Sequence, residues 1–259
     1  MIAQVQKAVK NPHKLLRFLQ HEIGTLFGHW EYKKFILLAR KRTGSNFLLS
    51  CLNSHSNIYA KGEILARLNG QDHKKILQTL FSKQPQSIKA AGFKIFYRHP
   101  YGDYTGQVWQ TLLSMPDLHV IHLKRRNALR TIVSQKIAMK TRVWEAKNSQ
   151  THLNIDQRRV TIPIDELERK LNDIRTLEVE FDDKFSAHPR LIVYYEELVN
   201  DLEQQMQSIT NFLSLPFYKP TTPNRRQNPE SLSNLVENYD ELWSHFSKTK
   251  WHDLFEDAG

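Results

Sequence analysis

Four apolar runs too short to be helices, separated by segments with helical periodicity, leave this chain few architectures. They span residues 35–39, 91–96, 118–123 and 191–195, and polar or turn-forming residues bound each one. Between them, residues 45–52 carry Phe47, Leu48, Cys51 and Leu52 on one side, and residues 128–137 carry Leu129, Ile132, Val133 and Ile137. Residues 165–185 give the longest helical signal, with Leu167, Leu171, Ile174, Leu177, Phe181 and Phe185 at three- and four-residue intervals. A further helix is expected over 202–213, ended by Pro216, and the Pro- and Asn-rich stretch 216–229 reads as a connecting loop. Strands alternating with helices predict an α/β chain whose mostly parallel central sheet is flanked by helices on both faces.

At 259 residues and 40% hydrophobic content the chain can bury a substantial core, and one domain is expected over 1–259. Residues 1–30 read as an N-terminal helical extension, because Val5, Val9, Leu15, Leu16, Leu19 and Ile23 stand among Lys7, Lys10, Lys14 and Arg17. An amphipathic helix packed on the domain accounts for that pattern; peripheral contact with a membrane surface is the alternative. No run approaches the roughly 18 apolar residues that span a bilayer, and the first residues lack the apolar core of a signal peptide. The expected location is therefore cytoplasmic, with membrane association open through the N-terminal helix. Cys51 is the sole cysteine, which rules out an internal disulfide or thiolate metal cage and fits a reducing compartment. A formal net charge of +10 predicts an anionic partner without choosing among nucleotide, glycan, acidic membrane and nucleic acid.

Two strand-to-helix junctions narrow the choice. The run 35–39 leads through Arg40, Lys41, Arg42, Thr43, Gly44, Ser45 and Asn46 into a helix. Small residues at such a bend expose backbone N–H groups at the positive end of a helix, which suits phosphate or sulfate, and Arg42 adds a fixed charge. A nucleoside triphosphate loop needs a second glycine followed by Lys and Ser/Thr, and that pattern is absent, which counts against a nucleotide-dependent kinase. The run 118–123 ends in Lys124, Arg125, Arg126 and Asn127 and enters a helix carrying Arg130 and Ser134. Ser134 stands about two turns in, so a phosphate shared with Arg126 requires that side chain to fold back over the helix.

Together the two junctions resemble the sulfotransferase family that uses 3′-phosphoadenosine 5′-phosphosulfate, in which one loop grips the 5′-phosphosulfate and the later strand–helix unit grips the 3′-phosphate. Residues 191–199, L-I-V-Y-Y-E-E-L-V, are similar to the family's Y-E-D-L strand end. Residues 226–232, R-Q-N-P-E-S-L, followed by Asn238 and Tyr239, resemble the C-terminal segment of bacterial carbohydrate and glycolipid sulfotransferases. The resemblance implies a three-layer P-loop-like fold, no required metal, a carbohydrate or glycolipid acceptor, and adenosine 3′,5′-bisphosphate as product. It places Arg42 on the transferring group, Thr43, Gly44, Ser45 and Asn46 in the phosphosulfate loop, and Phe47 against the adenine. It assigns Arg126 and Ser134 to the 3′-phosphate, Tyr195 to the adenine edge, and Arg225 and Arg226 to late nucleotide contacts.

An acceptor hydroxyl needs a general base near the sulfur. Lys61-Gly62-Glu63 resembles the segment that supplies a glutamate base in a bacterial glycolipid-directed branch, so Glu63 is the candidate. Capping a helix that begins near Ile64 is its structural alternative, and His99 and His55 are the reserve bases. Arg42, unable to give up a proton readily, is assigned electrostatic stabilisation only; Lys41 and Lys94 are candidate helpers. Trp109, Trp144 and Tyr101 are candidate sugar-stacking rings or core residues. A basic module that binds nucleic acid or another polyanion without catalysis is the rival from another class. It leaves the two arginine-bearing junctions unexplained, so no nucleic-acid partner is expected.

Overall fold

The computed structural model describes residues 24–25, 27–144, 154–222 and 230–256. Within them, strands β1 (Lys33–Ala39), β2 (Ile58–Lys61), β3 (Ala90–Phe96), β4 (Leu118–Lys124) and β5 (Arg190–Tyr194) form one sheet. Its order is β2-β3-β1-β4-β5, and every neighbouring pair is parallel. The helices are α1 (Ser45–Ser54), α2 (His73–Leu80), α3 (Gln107–Leu113), α4 (Ala128–Thr141), α5 (Ile155–Arg158), α6 (Ile164–Lys184), α7 (Tyr195–Asn200), α8 (Leu202–Phe212), α9 (Leu232–Leu235) and α10 (Tyr239–Phe246). A 3-10 turn over His252–Phe255 follows. The predicted N-terminal helix and Arg225 and Arg226 lie outside the described residues. Among the described residues, no helix is long and apolar enough to cross a membrane.

β1 is buried on both faces, which is why its sequence is an unbroken apolar run rather than an alternating one. Phe35, Leu37 and Ala39 pack with Leu48, Cys51 and Leu52 of α1 and Met206 and Ile209 of α8. Ile36 and Leu38 turn the other way, onto Leu77 and Leu80 of α2, Val108 and Leu112 of α3, and Phe181 of α6. A third cluster joins Leu129, Ile132 and Val133 of α4 to Leu167, Leu171 and Ile174 at the start of α6 and to the C-terminal Leu242 and Phe246. The long helix α6 thus serves two clusters, one with each half. Gly92 in β3 is fixed by a close approach: a Cβ there would stand 2.3 Å from the Phe35 carbonyl oxygen and 2.6 Å from its ring.

Because β1 leads by way of α1 to β2 on one side of the sheet, and β4 leads to β5 on the other, the connections diverge between β1 and β4. The carboxyl ends of two parallel strands at such a divergence open a crevice, the usual place for a ligand in sheets of this kind. Both basic junctions of the sequence lie there.

A buried polar chain runs through the sheet beside α6. Asp182 has only acceptors to offer, so His122 donates Nδ1–H to it at 2.9 Å and accepts from the Tyr97 hydroxyl at Nε2, 2.7 Å away. Lys124 also reaches Asp182. Burial, followed by the Lys124 charge, pulls the His122 imidazole down to about 4. In the unfolded chain it binds its proton near the ordinary 6.5, so unfolding takes up protons between those values and stability falls as pH drops through that window. His99, also pulled down to about 4 by burial, acts in the same direction. Replacing His122 by Asn should therefore shrink, without abolishing, the fall in Tm between about pH 6.5 and 4. An unchanged slope in His122→Asn would show that this imidazole does not carry the dependence.

Candidate functional site

The first junction is shaped by packing from below. Gly44 adopts φ +86° as the N-cap of α1, and a Cβ on it would lie 2.3 Å from the Tyr195 ring. Glycine is required twice there, for the left-handed backbone and for the space. Thr43 closes the turn by donating its hydroxyl to the Arg40 carbonyl at 2.7 Å. The first turn of α1 holds no acidic residue and no side-chain cap, so its N–H groups are not neutralised from within the helix. Tyr195 begins α7 rather than ending the strand, and it is buried beneath Gly44. Phe47 is half-buried and packs on the cluster of α1 and α8.

Arg42 joins this loop to the second junction. Its guanidinium donates from Nε at 3.0 Å and Nη2 at 2.9 Å to Ser134 Oγ, and from Nη1 at 2.7 Å to the Trp144 carbonyl. Two residues placed by sequence at opposite ends of a nucleotide are thus in direct contact. The Ser134 oxygen accepts from Arg42 and keeps its own O–H as a donor suited to a phosphate oxygen.

The neighbours Arg125 and Arg126 diverge. Arg126 lies on the Tyr194 ring, 3.9 Å from guanidinium carbon to centroid, and pairs with Glu197, its side chain half exposed. Arg125 turns inward over the Tyr195 ring at 4.5 Å and donates to the Arg42 carbonyl at 3.3 Å. Sequence reasoning passed over both Arg125 and Glu196. The Glu196 carboxylate accepts from the backbone N–H groups of Arg126 at 3.0 Å and Asn127 at 3.2 Å, so the chain itself supplies an anion to the start of α4. What the second junction offers an anion is side chains, Ser134 and the half-exposed Arg126 among them.

On the β3 side of the crevice stands a separate polar group. The Lys94 ammonium, 3% exposed at the side chain, lies 3.0 Å from Glu63 Oε1 and donates to the Asn46 side chain. Among the described residues, Lys94 is the lysine that pairs with Glu63. No helix begins at Ile64; residues 63–66 form a turn closed by the Ala66 N–H on the Glu63 carbonyl at 3.2 Å, which removes the capping alternative for Glu63.

Both reserve histidines are already committed. His99 Nδ1 accepts the Phe96 N–H at 3.2 Å, so its neutral ring carries the proton on Nε2, 3.6 Å from Glu63 Oε2. Its one lone pair is engaged, and burial holds its imidazole at about 4. His55 accepts from Asn57 N at 3.1 Å and meets the Pro216 carbonyl at 2.9 Å through its other nitrogen. Trp109 is a packing residue: its Nε1 donates to the His99 carbonyl at 2.8 Å and its ring meets Phe181 edge-on.

A model described as the sulfotransferase family matches residues 100–220, which include the second junction and Tyr195 but begin after the first loop. Nodulation protein H of Rhizobium meliloti is 26% identical over 239 residues, spanning 86% of this chain and 95% of that protein. Nodulation protein H of Rhizobium tropici is 25% identical over 241 residues, spanning 86% and 92% respectively. The crystal structure of a sulfotransferase from Alicyclobacillus acidocaldarius superposes with a TM-score of 0.50 at 11% identity, covering 82% of this chain and 90% of that one. At that identity the likeness is one of fold.

The contact between Gly44 and Tyr195 gives a prediction of its own. Gly44→Ala should cost more than the roughly 1–2 kcal/mol expected from the left-handed backbone alone, because its methyl group meets the ring. Tyr195→Leu should relieve part of that excess, so a double-mutant cycle by chemical denaturation should be sub-additive by about 1 kcal/mol. Strict additivity would mean the loop does not rest on Tyr195.

Proposed function

We propose that the chain, whose residues 100–220 match the sulfotransferase family model, is a sulfotransferase that takes the sulfuryl group of 3′-phosphoadenosine 5′-phosphosulfate and places it on a hydroxyl of a carbohydrate or glycolipid acceptor. The observation that carries this reading is the reach of Arg42 across the crevice to Ser134, which puts both basic junctions in one cleft. The loop from Thr43 to Asn46, with the start of α1, receives the 5′ end. Ser134 and Arg126 receive the 3′-phosphate. The exposed pair of Arg126 with Glu197 does not stand in the way, since such surface pairs are worth about 0–1 kcal/mol and a phosphate is a better acceptor for guanidinium than a solvated carboxylate. Arg125 supports the site from within by bracing the Arg42 carbonyl against Tyr195.

The donor supplies an activated sulfuryl group, and the chain's residues supply position and charge. Sulfuryl transfer needs nucleophile and leaving oxygen in line with the sulfur, and positive groups where negative charge gathers. Glu63 accepts the proton of the acceptor hydroxyl as its oxygen bonds to sulfur and the bond to the 5′-phosphate oxygen breaks. Lys94 is suited to both halves of this step: its ammonium already spans Glu63 and the loop residue Asn46, and it can follow the charge as Glu63 is neutralised and the leaving oxygen becomes anionic. Arg42 stabilises charge without exchanging a proton.

Glu63→Gln keeps the shape of the side chain and removes the proton acceptor. It should leave the affinity for adenosine 3′,5′-bisphosphate within about twofold of wild type while lowering turnover by about a hundredfold or more. Calorimetry and a sulfuryl-transfer assay measure the two quantities separately. Full turnover in the variant would take Glu63 out of the mechanism, and loss of bisphosphate binding in the wild-type chain would remove the reading altogether.

A further inference from the structure

The acceptor side of the cleft carries positive charge that the transfer chemistry does not use. Lys94 is balanced by Glu63, but Lys41 and Arg67 are not balanced in this way. The Lys41 ammonium stands 4.5 Å from the centre of the Tyr101 ring, and the Arg67 guanidinium 5.7 Å from the same centre. Among the described residues, neither has a carboxylate within ion-pairing distance. Elsewhere on the surface comparable side chains are matched, Arg98 by Asp173, Arg158 by Glu230 and Lys184 by Glu180. An aromatic face attracts a cation without accepting a strong hydrogen bond, so Lys41 and Arg67 keep their N–H donors for something else. Two like charges gathered on one ring repel each other, and an anion placed between them offsets that cost.

The position of the pair relates it to the base. Arg67 follows directly on the turn that carries Glu63, and the Tyr101 N–H donates to the Ala66 carbonyl of that turn at 2.8 Å. The Tyr101 ring meets His99 edge-on at 4.6 Å, and His99 faces Glu63. Lys41 precedes Arg42 in the first loop. The two cations therefore meet one ring from two separate segments of the chain, and that ring touches His99, which faces Glu63.

We propose that the acceptor is an anionic saccharide, carrying a carboxylate, phosphate or sulfate group near the hydroxyl to be modified, and that Lys41 and Arg67 bind this group beside Tyr101. The proposal rests on the sulfotransferase reading and specifies its acceptor. A neutral sugar leaves both cations unmatched, whereas an anionic one is drawn to the site and oriented with its hydroxyl toward Glu63.

The test uses the full chain saturated with adenosine 3′,5′-bisphosphate, so that added phosphate cannot enter the nucleotide site. Methyl β-glucoside, methyl β-glucuronide and glucose 6-phosphate are titrated in turn and followed by NMR shifts. At least one anionic sugar should bind about tenfold more tightly than the neutral glucoside. Arg67→Gln should reduce that preference below about twofold, and Arg67→Lys should restore most of it, with bisphosphate affinity unchanged in both. Preference for the glucuronide identifies a carboxylate, and preference for the 6-phosphate a phosphate or sulfate. Equal binding of the three sugars, no binding of any, or a preference that survives Arg67→Gln overturns the proposal. A wild-type chain that fails to bind the bisphosphate at the outset defeats the sulfotransferase reading, and this proposal with it.

Discussion

The two hydrogen bonds from the Arg42 guanidinium to Ser134 Oγ are the constraint on which the site depends. They are available only because β1 and β4 lie side by side in a parallel sheet, so that the loop leaving one strand and the helix following the other meet over the same crevice. The loop cannot reach its position without Gly44, whose missing side chain lets it settle on Tyr195. Arg125, over that same ring and bonded to the Arg42 carbonyl, fastens the first junction to the second from inside. Strand order, a glycine and an aromatic floor thus precede the chemistry.

Charge within the cleft is divided among distinct tasks. Just before α4 the Glu196 carboxylate holds the backbone N–H groups of Arg126 and Asn127, and the Asn127 side chain caps the helix by accepting the Arg130 N–H at 3.0 Å. At the start of α1 there is no acidic residue, and that helix end stays available to an anion. Lys94 and Glu63 form an ion pair on the β3 side of the crevice, where the proposed base would stand beside a cation. His99 stands beside that pair with its Nδ1 lone pair occupied by the Phe96 N–H and its imidazole pulled down to about 4 by burial.

Much of this was legible in the sequence because it depends on neighbours along the chain. Strand β1 and its basic loop, α6 with its three- and four-residue spacing, and the β4 junction are each written in consecutive residues. The edge strand β2 is not, since four residues of mixed polarity give too short a pattern. The inward turn of Arg125 is not legible either, because successive side chains at the end of a strand point to opposite sides and the outcome turns on where β4 stops. Glu63 emerged by resemblance. Its partners Lys94, Asn46 and His99 come from three separate segments, and only the fold brings them within reach. The same holds for Glu196, which in sequence is one of two adjacent glutamates and in space is the carboxylate that holds the N–H groups of Arg126 and Asn127 just before α4.

The claim that one cleft holds both ends of a doubly phosphorylated adenosine is most directly tested by titration calorimetry. Adenosine 3′,5′-bisphosphate and adenosine 5′-phosphate are compared on the wild-type chain, Ser134→Ala and Arg126→Ala. The wild-type chain should prefer the bisphosphate by about tenfold or more, and both variants should reduce that preference, with affinity for the 5′-phosphate little changed in Arg126→Ala, whose side chain lies on Tyr194 and Glu197. Equal losses for the two nucleotides in Arg126→Ala, or no preference in the wild type, would contradict it.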